Sequence, residues 1–333
     1  MRYLDAGFAK DFEVESWSLY SGCMLVILLR LFSKLKRIGV MEKDDYVMIL
    51  AAGMYTVLIS SLNAICRGGG SNLYPPELAG TFSESEIQDR IYGSKIVVIS
   101  EQAMLSVIYI VKTCVIIMYT RMTLGLITQT MLRYLAWYVF VGWAATEIAF
   151  FTACRPFKGY WAMPPPDPQC ATLQRYAVVQ ACFNISSDLL LLWVPIPLVF
   201  RTGAPWRQKT MMLSTFSLAG FVIVAALLTK VFNLSNVWDP QYMYWYVREA
   251  SVAIYVSNIP VVWPLLRDWV PCLRHLYAIG SIGGSDGSRL SGQQHHSCDH
   301  GRSGAGESTL SRRKLIGVFP SLGSGSGSGS GLA

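Results

Sequence analysis

Seven long apolar stretches most constrain how this chain can fold. They lie at about residues 16–32, 46–66, 95–119, 134–153, 176–200, 211–232 and 244–270. A helix needs about 20 mostly apolar residues to cross the hydrocarbon core of a bilayer, and each stretch is near that length. The stretches are apolar nearly all round, whereas a helix on the surface of a soluble domain has a polar face. The sequence therefore predicts an all-α, polytopic membrane bundle of seven transmembrane helices.

The composition agrees with a membrane protein and argues against a large soluble one. Only 15% of the 333 residues are charged and 52% are hydrophobic, whereas a soluble domain carries about 25% charged residues. The net charge of +7 is interpreted as cytoplasmic loops that face anionic lipid headgroups. The composition and charge therefore predict the lipid bilayer as a partner. Nucleic acid is not expected as a partner, because no nucleic-acid-binding motif occurs.

The connecting loops predict an orientation. The first, third and fifth loops are short and basic, and such loops are retained on the cytoplasmic side. The N-terminus is therefore predicted outside and the C-terminus inside, in a multi-pass protein of the plasma membrane or an endomembrane. The basic residues of these loops are Lys34, Lys36, Arg37, Lys43, Arg121, Arg133, Arg201, Arg207 and Lys209.

Three regions follow from these patterns. Residues 1–15 are predicted as an N-terminal tail, residues 16–272 as the seven-helix domain, and residues 273–333 as a Gly/Ser-rich disordered cytoplasmic tail. The last region cannot bury a core, because apolar periodicity disappears in it. Its terminal Gly/Ser repeat is either native low complexity or an added linker. No metal site is predicted, because the metal-capable residues of the tail are interpreted as incidental: His295, His296, Cys298 and His300.

Charged residues inside a membrane are costly, so they mark function or buried pairs. Lys112 in the third stretch and Asp188 in the fifth both fall near mid-membrane, and we expect them to approach each other or to share a polar network. Asn184 is one helical turn before Asp188 on the same face. Glu101 shares a face with Lys112, eleven residues away. The pair is either a buried ion pair that fixes helix packing or part of a ligand site.

Three glutamates lie nearer the predicted outer side of the bundle. Glu101, Glu147 and Glu249 belong to the third, fourth and seventh stretches. Together they would line a cavity that opens outward. The alternative is that each carboxylate sits at the membrane interface, where charged side chains reach water.

Cysteines and one sequon mark the predicted outer side. Cys154 and Cys170 lie in one outer loop, an oxidising location, so they are a disulfide candidate. Cys66, at the outer end of the second stretch, is a competing partner. Asn233, in Asn-Leu-Ser close to the membrane, is a candidate glycosylation site.

Over residues 26–270 the chain resembles the fungal rhodopsin-like integral membrane proteins. That group includes pathogenicity-related fungal receptors and membrane proteins of the satratoxin-cluster type. The similarity is carried by charged residues, prolines and cysteines at matching places along the chain. These are Arg30, Asp44-Asp45-Tyr46, Lys112, Tyr119-Thr120-Arg121, Cys154-Arg155-Pro156, Trp161, Cys170, Asn184-Ile185-Ser186-Ser187-Asp188, Pro195-Ile196-Pro197, Lys209, Phe216, Gly220, Glu249, Asn258, Pro260 and Pro264.

The resemblance implies a receptor-like protein, and some members lie among secondary-metabolite genes. It implies no retinal, in agreement with a seventh stretch that contains no lysine for a Schiff base, and no other cofactor is expected. One departure from the pattern is Lys230, where the family usually has arginine.

Two functions compete at this point. The first is a receptor-like protein without catalytic activity, which binds an apolar or amphipathic small molecule and acts on a cytoplasmic signalling partner. The second is a membrane-embedded cyclase or isomerase that protonates an apolar terpenoid or polyketide intermediate. A buried carboxyl group can stay protonated and act as such an acid. The candidate acids of such an enzyme are Glu101, Glu147, Asp188 and Glu249.

Overall fold

A computed structural model describes most of the predicted helical domain. It covers residues 6–68, 70–75, 80–122, 128–194 and 240–269, together with residues 220, 223, 224 and 226–228. All of these belong to one structural unit, Met1–Ile279. The predicted disordered tail, residues 273–333, lies outside the described residues.

The described part of the chain is helical and contains no strand. Two short elements, a 3₁₀-helix and α5, lie between α4 and α6. The helices are α1 (Ala6–Ile38), α2 (Lys43–Arg67), α3 (Glu84–Met122), α4 (Thr128–Ala153), the 3₁₀-helix (Phe157–Trp161), α5 (Pro168–Thr172), α6 (Gln174–Trp193) and α7 (Tyr242–Trp269).

Five of these helices are long and apolar enough to cross a membrane: α1, α2, α3, α4 and α6. They coincide with the first five predicted stretches. The seventh stretch corresponds to α7, which has 28 residues. Of the sixth stretch, residues 211–232, only a few helical residues are described. The chain is thus a multi-pass protein that is helical throughout its described spans, while the count of seven and the orientation stay predictions.

α1 begins well before its apolar stretch. It starts at Ala6, inside the predicted N-terminal tail, because its first turns pack against the start of α7. The rings of Phe8 and Phe12 lie edge-on to Tyr244, with centroids 5.3 and 5.1 Å away. Arg248 also pairs with Glu15 at 2.6 Å. Helical structure therefore continues where hydropathy alone indicates a tail.

α3 also begins early, and a local sequence signal explains where. Ser83 and Glu86 form the reciprocal bonds of a capping box: the Ser83 backbone N–H donates to the Glu86 carboxylate at 2.8 Å, and the Glu86 backbone N–H donates to Ser83 Oγ at 3.4 Å. At about 1.5 Å per residue, the 39 residues of α3 exceed the thickness of a bilayer core. One end of α3 therefore extends beyond the membrane.

α3 is the central helix of the described bundle. It packs against α2, α4 and α7, while α1 packs against α2 and α7, and α4 packs against α6. The largest fully buried apolar side chains on these contacts include Tyr55, Met104 and Leu132. Because α3 touches several other helices, polar residues on it can join partners from several sides of the bundle.

The outward faces of α1 and α4 carry large apolar side chains. A contiguous apolar surface of this kind suits lipid rather than water. Buried polar groups lie on the inner faces instead, as a helix bundle in lipid requires. The exposed apolar residues on these two faces include Leu25, Leu28, Phe32, Tyr134, Trp137, Phe140, Ile148 and Phe151.

Candidate functional site

Lys112 is the centre of a buried polar network. Its side chain is 5% exposed, and its ammonium lies 2.7 Å from Asp188 Oδ1. It also donates to the Asn184 backbone carbonyl at 2.7 Å and to Ser187 Oγ at 2.6 Å. An ammonium has three N–H donors, so every donor of Lys112 has an acceptor on α6.

Asn184 extends this network to a third helix. Its side-chain amide donates to Glu249 Oε1 on α7 at 2.9 Å. Asn184 and Asp188 are one turn apart on α6, so both face α3 and α7. The structure therefore brings together Lys112, Asn184, Asp188 and Glu249, and joins α3, α6 and α7 through them.

A cavity with an empty volume of about 750 Å³ lies against this network. The network residues Lys112, Asn184, Asp188 and Glu249 supply its polar wall. We call it the apolar cavity, because its other lining residues are mostly aliphatic: Ile108, Val111, Val115, Met118, Tyr119, Leu191, Leu192, Ala253, Val256, Ser257 and Pro260.

A second cavity, of about 610 Å³, surrounds Glu101. Glu101 is 3% exposed, and its Oε2 accepts a hydrogen bond from the Tyr246 hydroxyl at 3.4 Å. We call this space the aromatic cavity, because Glu101 shares it with the rings of Phe150, Tyr160, Tyr176, Tyr242 and Tyr246.

The two cavities follow one another along three helices. On α3 the aromatic cavity contacts residues up to Glu101, and the apolar cavity begins at Ile108. On α6 and α7 the same order holds, with the Lys112 network at the start of the apolar cavity. Glu147 is not among the residues that line either cavity, so neither of these two cavities is lined by all three glutamates.

The disulfide predicted between Cys154 and Cys170 is confirmed, with Cα atoms 4.9 Å apart. Cys66 was the competing partner, and that alternative is wrong, because Cys66 is a free, buried thiol beside Met243. The disulfide lies tightly against Gly159, where a Cβ atom would sit 2.6 Å from Cys154 Sγ. Glycine is therefore required at this position.

The loop after α2 and the disulfide loop together cover the aromatic cavity. The Asn72 side chain donates to the Tyr160 carbonyl at 2.9 Å, and Arg90 donates to the Ser71 carbonyl at 2.8 Å. Gly93 on α3 permits the close approach, because a Cβ there would lie 2.0 Å from the Gly70 carbonyl oxygen. These contacts fix the two loops to each other and to α3.

Loss of the disulfide is expected to lower stability markedly. A bridge that closes a loop of about 15 residues contributes about 3 kcal/mol, chiefly by restricting the unfolded chain. Cys170→Ser should therefore lower the midpoint of thermal unfolding of the detergent-solubilised protein under non-reducing conditions. Cys182→Ser is the matched control, since Cys182 is free and exposed, and it should leave the midpoint unchanged.

A second charged cluster, which the sequence did not single out as a site, joins the ends of α1, α2 and α3. Arg30 is fully buried and pairs with Asp44 at 2.5 Å and with Asp45 at 3.1 Å. Lys34 pairs with Glu42 at 2.5 Å and with Asp44 at 2.7 Å. We call these residues, with Arg121, the helix-end cluster.

Arg121 and α7 complete the helix-end cluster. Arg121 at the end of α3 contacts Glu42 and lies 3.3 Å from Asp44. Arg30 donates to the Ser257 carbonyl and to Asn258 Oδ1, both at 3.4 Å. Four helices therefore meet at one group of charges.

The carboxylates of this cluster are neutralised by cationic side chains. Oxygen atoms of Glu42, Asp44 and Asp45 lie within 4.8 Å of one another, but Arg30 and Lys34 supply positive charge at that point. Burial raises the pKa of Glu42, and the hydrogen bonds from Lys34 and Arg121 outweigh it, so the pKa lies below its ordinary value. The ionised Glu42 carboxylate therefore stabilises the folded state through these contacts. This stabilisation is present at neutral pH and is lost as pH falls through the lowered pKa of Glu42.

Several predicted residues lie outside the described part of the chain. They include the candidate glycosylation site and parts of the family pattern. These residues are Pro195, Ile196, Pro197, Lys209, Phe216, Lys230 and Asn233.

The apolar helices and their inward-facing charges define an α-helical, multi-pass membrane protein. A family model, the fungal rhodopsin domain, matches residues 29–268. The chain belongs to this fungal rhodopsin family, as the resemblance indicated. No curated protein and no solved structure gives a significant match.

Proposed function

We propose that the chain is a receptor-like membrane protein that binds an apolar or amphipathic small molecule within its helix bundle. The observation that carries this proposal is the Lys112 network, which joins α3, α6 and α7 where the aromatic cavity gives way to the apolar one. A ligand in the aromatic cavity would contact the same three helices that the network holds together. The proposal includes neither an enzymatic step nor a cofactor.

Signal transfer would follow from discrete helix packings. A ligand shifts a conformational equilibrium only by binding one packing more tightly than another. The Lys112 network and the helix-end cluster both tie helices together by charges, so a change in helix packing would alter both. The basic loops, predicted to be cytoplasmic, would then present a changed surface to a signalling partner.

Asp188→Asn is the sharpest test of this proposal. The substitution keeps the shape of the side chain but removes the charge that pairs with Lys112. Because the change leaves Lys112 buried without its counter-ion, it also lowers stability, so the amount of variant protein in the membrane is matched to wild type. In a deletion strain complemented with the variant at that level, the transcript profile should resemble that of the deletion strain. Asp286→Asn in the C-terminal tail makes the same chemical change and should restore the wild-type profile. A well-expressed Asp188→Asn protein with a wild-type profile would show that the network has no such role.

A cyclase or isomerase is the competing function, and one observation favours it. Glu101 is a buried carboxyl group among aromatic rings, and such rings can stabilise a carbocation. Against it, the two carboxyl groups that share the apolar cavity are both hydrogen-bonded, Asp188 to Lys112 and Glu249 to Asn184. The described lining of that cavity contains a single aromatic ring, Tyr119.

Metabolite profiling of the same deletion strain separates the two functions. The receptor proposal expects changes in the amounts of many metabolites through regulation. The receptor proposal is also compatible with a gene that lies beside secondary-metabolite genes, as the family resemblance suggests. Accumulation of one uncyclised precursor would contradict the receptor proposal and support catalysis.

A further inference from the structure

We infer that an exposed recess on α4 binds an anionic phospholipid, with the lipid phosphate at Arg133 and an acyl chain against the rings beside it. We call this space the α4 recess, and its described lining residues are Arg133, Ala136, Trp137 and Phe140. The inference concerns the membrane-facing surface of the bundle and does not depend on the proposed receptor function.

The four lining residues lie on one face of α4. Positions i, i+3, i+4 and i+7 share a face of an α-helix, and Arg133, Ala136, Trp137 and Phe140 have that spacing. At about 1.5 Å per residue, Trp137 and Phe140 lie about 6 and 10 Å along the helix axis from Arg133. One charged group is therefore followed by two aromatic rings, in the order in which a phospholipid presents its headgroup and its chains.

Arg133 is placed for a headgroup rather than for a partner within the protein. It directly precedes the fourth apolar stretch, residues 134–153, so its side chain belongs to the level of the lipid phosphates. It is exposed, and within the described part of the chain it forms no ion pair or hydrogen bond. A guanidinium can bind a phosphate through two parallel hydrogen bonds. The charge of Arg133 is therefore available to a lipid.

The apolar part of the α4 recess suits an acyl chain. Trp137 is 67% exposed and Phe140 is 53% exposed, so neither ring is held in the protein core. The two rings are edge-to-face, with centroids 6.0 Å apart. Ala136 carries only a methyl group beside them. The recess has a volume of about 430 Å³, within the range of about 300–1,000 Å³ that small-molecule sites occupy.

The predicted orientation of the chain agrees with a lipid of negative charge. Arg133 belongs to the third loop, which is predicted to be cytoplasmic, and the cytoplasmic leaflet carries the anionic lipids of a membrane. One arginine or lysine near that surface changes lipid affinity on the order of five-fold. The recess should therefore prefer an anionic headgroup to a zwitterionic one by about that factor.

Arg175 provides an internal comparison. It is also exposed, and it directly precedes the fifth apolar stretch, residues 176–200. The positions three, four and seven residues later hold Val178, Val179 and Cys182, so no aromatic ring follows this charge on the same face. Arg175 thus has the charge and the place in its helix that Arg133 has, without the aromatic surface.

The test uses the purified full chain in detergent, titrated with phosphatidylserine or with phosphatidylcholine of identical acyl chains, with bound lipid counted by native mass spectrometry. Phosphatidylserine should bind to the wild-type protein on the order of five-fold more tightly. Arg133→Gln should remove this preference by weakening phosphatidylserine alone. Arg175→Gln removes the same charge at the matched position and should keep the preference.

Ala136→Leu tests the apolar part of the recess separately from the charge. Leucine would fill the space beside the rings, so both lipids should bind more weakly while the ratio of their affinities stays as in the wild type. Ala136 is exposed, so the substitution leaves the core unchanged. Ala64→Leu, at an exposed alanine on α2, is the control and should bind both lipids as the wild type does.

Competition distinguishes a phospholipid from other occupants. Inorganic phosphate has no acyl chain and a neutral sterol has no charge, so neither should displace bound phosphatidylserine. Displacement by phosphate would reduce the recess to an anion site, and displacement by the sterol would assign it to sterols; either result would overturn the inference. Equal affinity of the wild-type protein for the two phospholipids would also overturn it, as would equal loss of preference in Arg133→Gln and Arg175→Gln.

Discussion

Arg30→Met is expected to prevent the protein from accumulating in folded form. Arg30 is fully buried and pairs with both Asp44 and Asp45. Removing one member of a buried ion pair costs about 3–5 kcal/mol, and without Arg30 the buried Asp44 and Asp45 would have to share Lys34 as their nearest cation. That loss is comparable to a large part of the total stability of a folded domain, about 5–15 kcal/mol. Size-exclusion chromatography of a fluorescent fusion would show the monodisperse peak lost to aggregate.

Two companion variants make this result specific. Lys43→Met removes an exposed positive charge one residue before Asp44, and it should give the wild-type profile. Adding Asp45→Asn to Arg30→Met should recover part of the folded protein, since it removes one of the two carboxylates that have lost Arg30 and leaves Lys34 to balance the other. A monodisperse Arg30→Met protein in wild-type yield would mean that the helix-end cluster contributes little to folding.

Lys112→Met should also be strongly destabilising. A second substitution at Asp188 that restores stability tells more about the pair than the single change does. The single change leaves Asp188 in a buried site without its counter-ion, at a cost of about 3–5 kcal/mol. Replacing a whole buried pair with apolar residues is often neutral or stabilising. Lys112→Met combined with Asp188→Leu should therefore restore the unfolding midpoint toward the wild-type value, measured by thermal unfolding in detergent.

The double variant separates stability from function. It should be well folded and yet give the transcript profile of the deletion strain, because the charged link between α3 and α6 is absent. Lys95→Met, on the same helix but exposed, is the control for both measurements. A double variant that folds and also signals normally would assign the pair a packing role alone.

Helical periodicity explains which parts of the site could be predicted. Lys112 and Asp188 are charged residues far inside long apolar stretches, so counting from the helix ends placed both near mid-membrane. Asn184 followed from its one-turn spacing to Asp188. Cys154 and Cys170 could be paired because they belong to one predicted loop. In each case the number of residues between two positions in the sequence was enough to predict that they lie close together.

The helix-end cluster could not be predicted in the same way. Arg30, Lys34 and Asp44 lie near the ends of apolar stretches, where charged residues ordinarily reach water and need no buried partner. Their burial depends on how α1, α2, α3 and α7 converge, which spacing along the chain does not reveal. Trp137 is similar, because tryptophans are frequent at membrane interfaces and only the α4 recess distinguishes this one.

Arg30 also connects helices that are synthesised early and late, α1 and α7. Its carboxylate partners, Asp44 and Asp45, follow it by only 14 and 15 residues, so this pairing can form as soon as the first helical hairpin has left the ribosome. Its contacts with Ser257 and Asn258 span 227 and 228 residues and wait for the last described helix. A nascent chain that stops before α7 would hold Arg30 with its charge balanced but two of its acceptors missing. The hydrogen bonds of this one guanidinium therefore differ between a chain that contains α7 and one that stops before it.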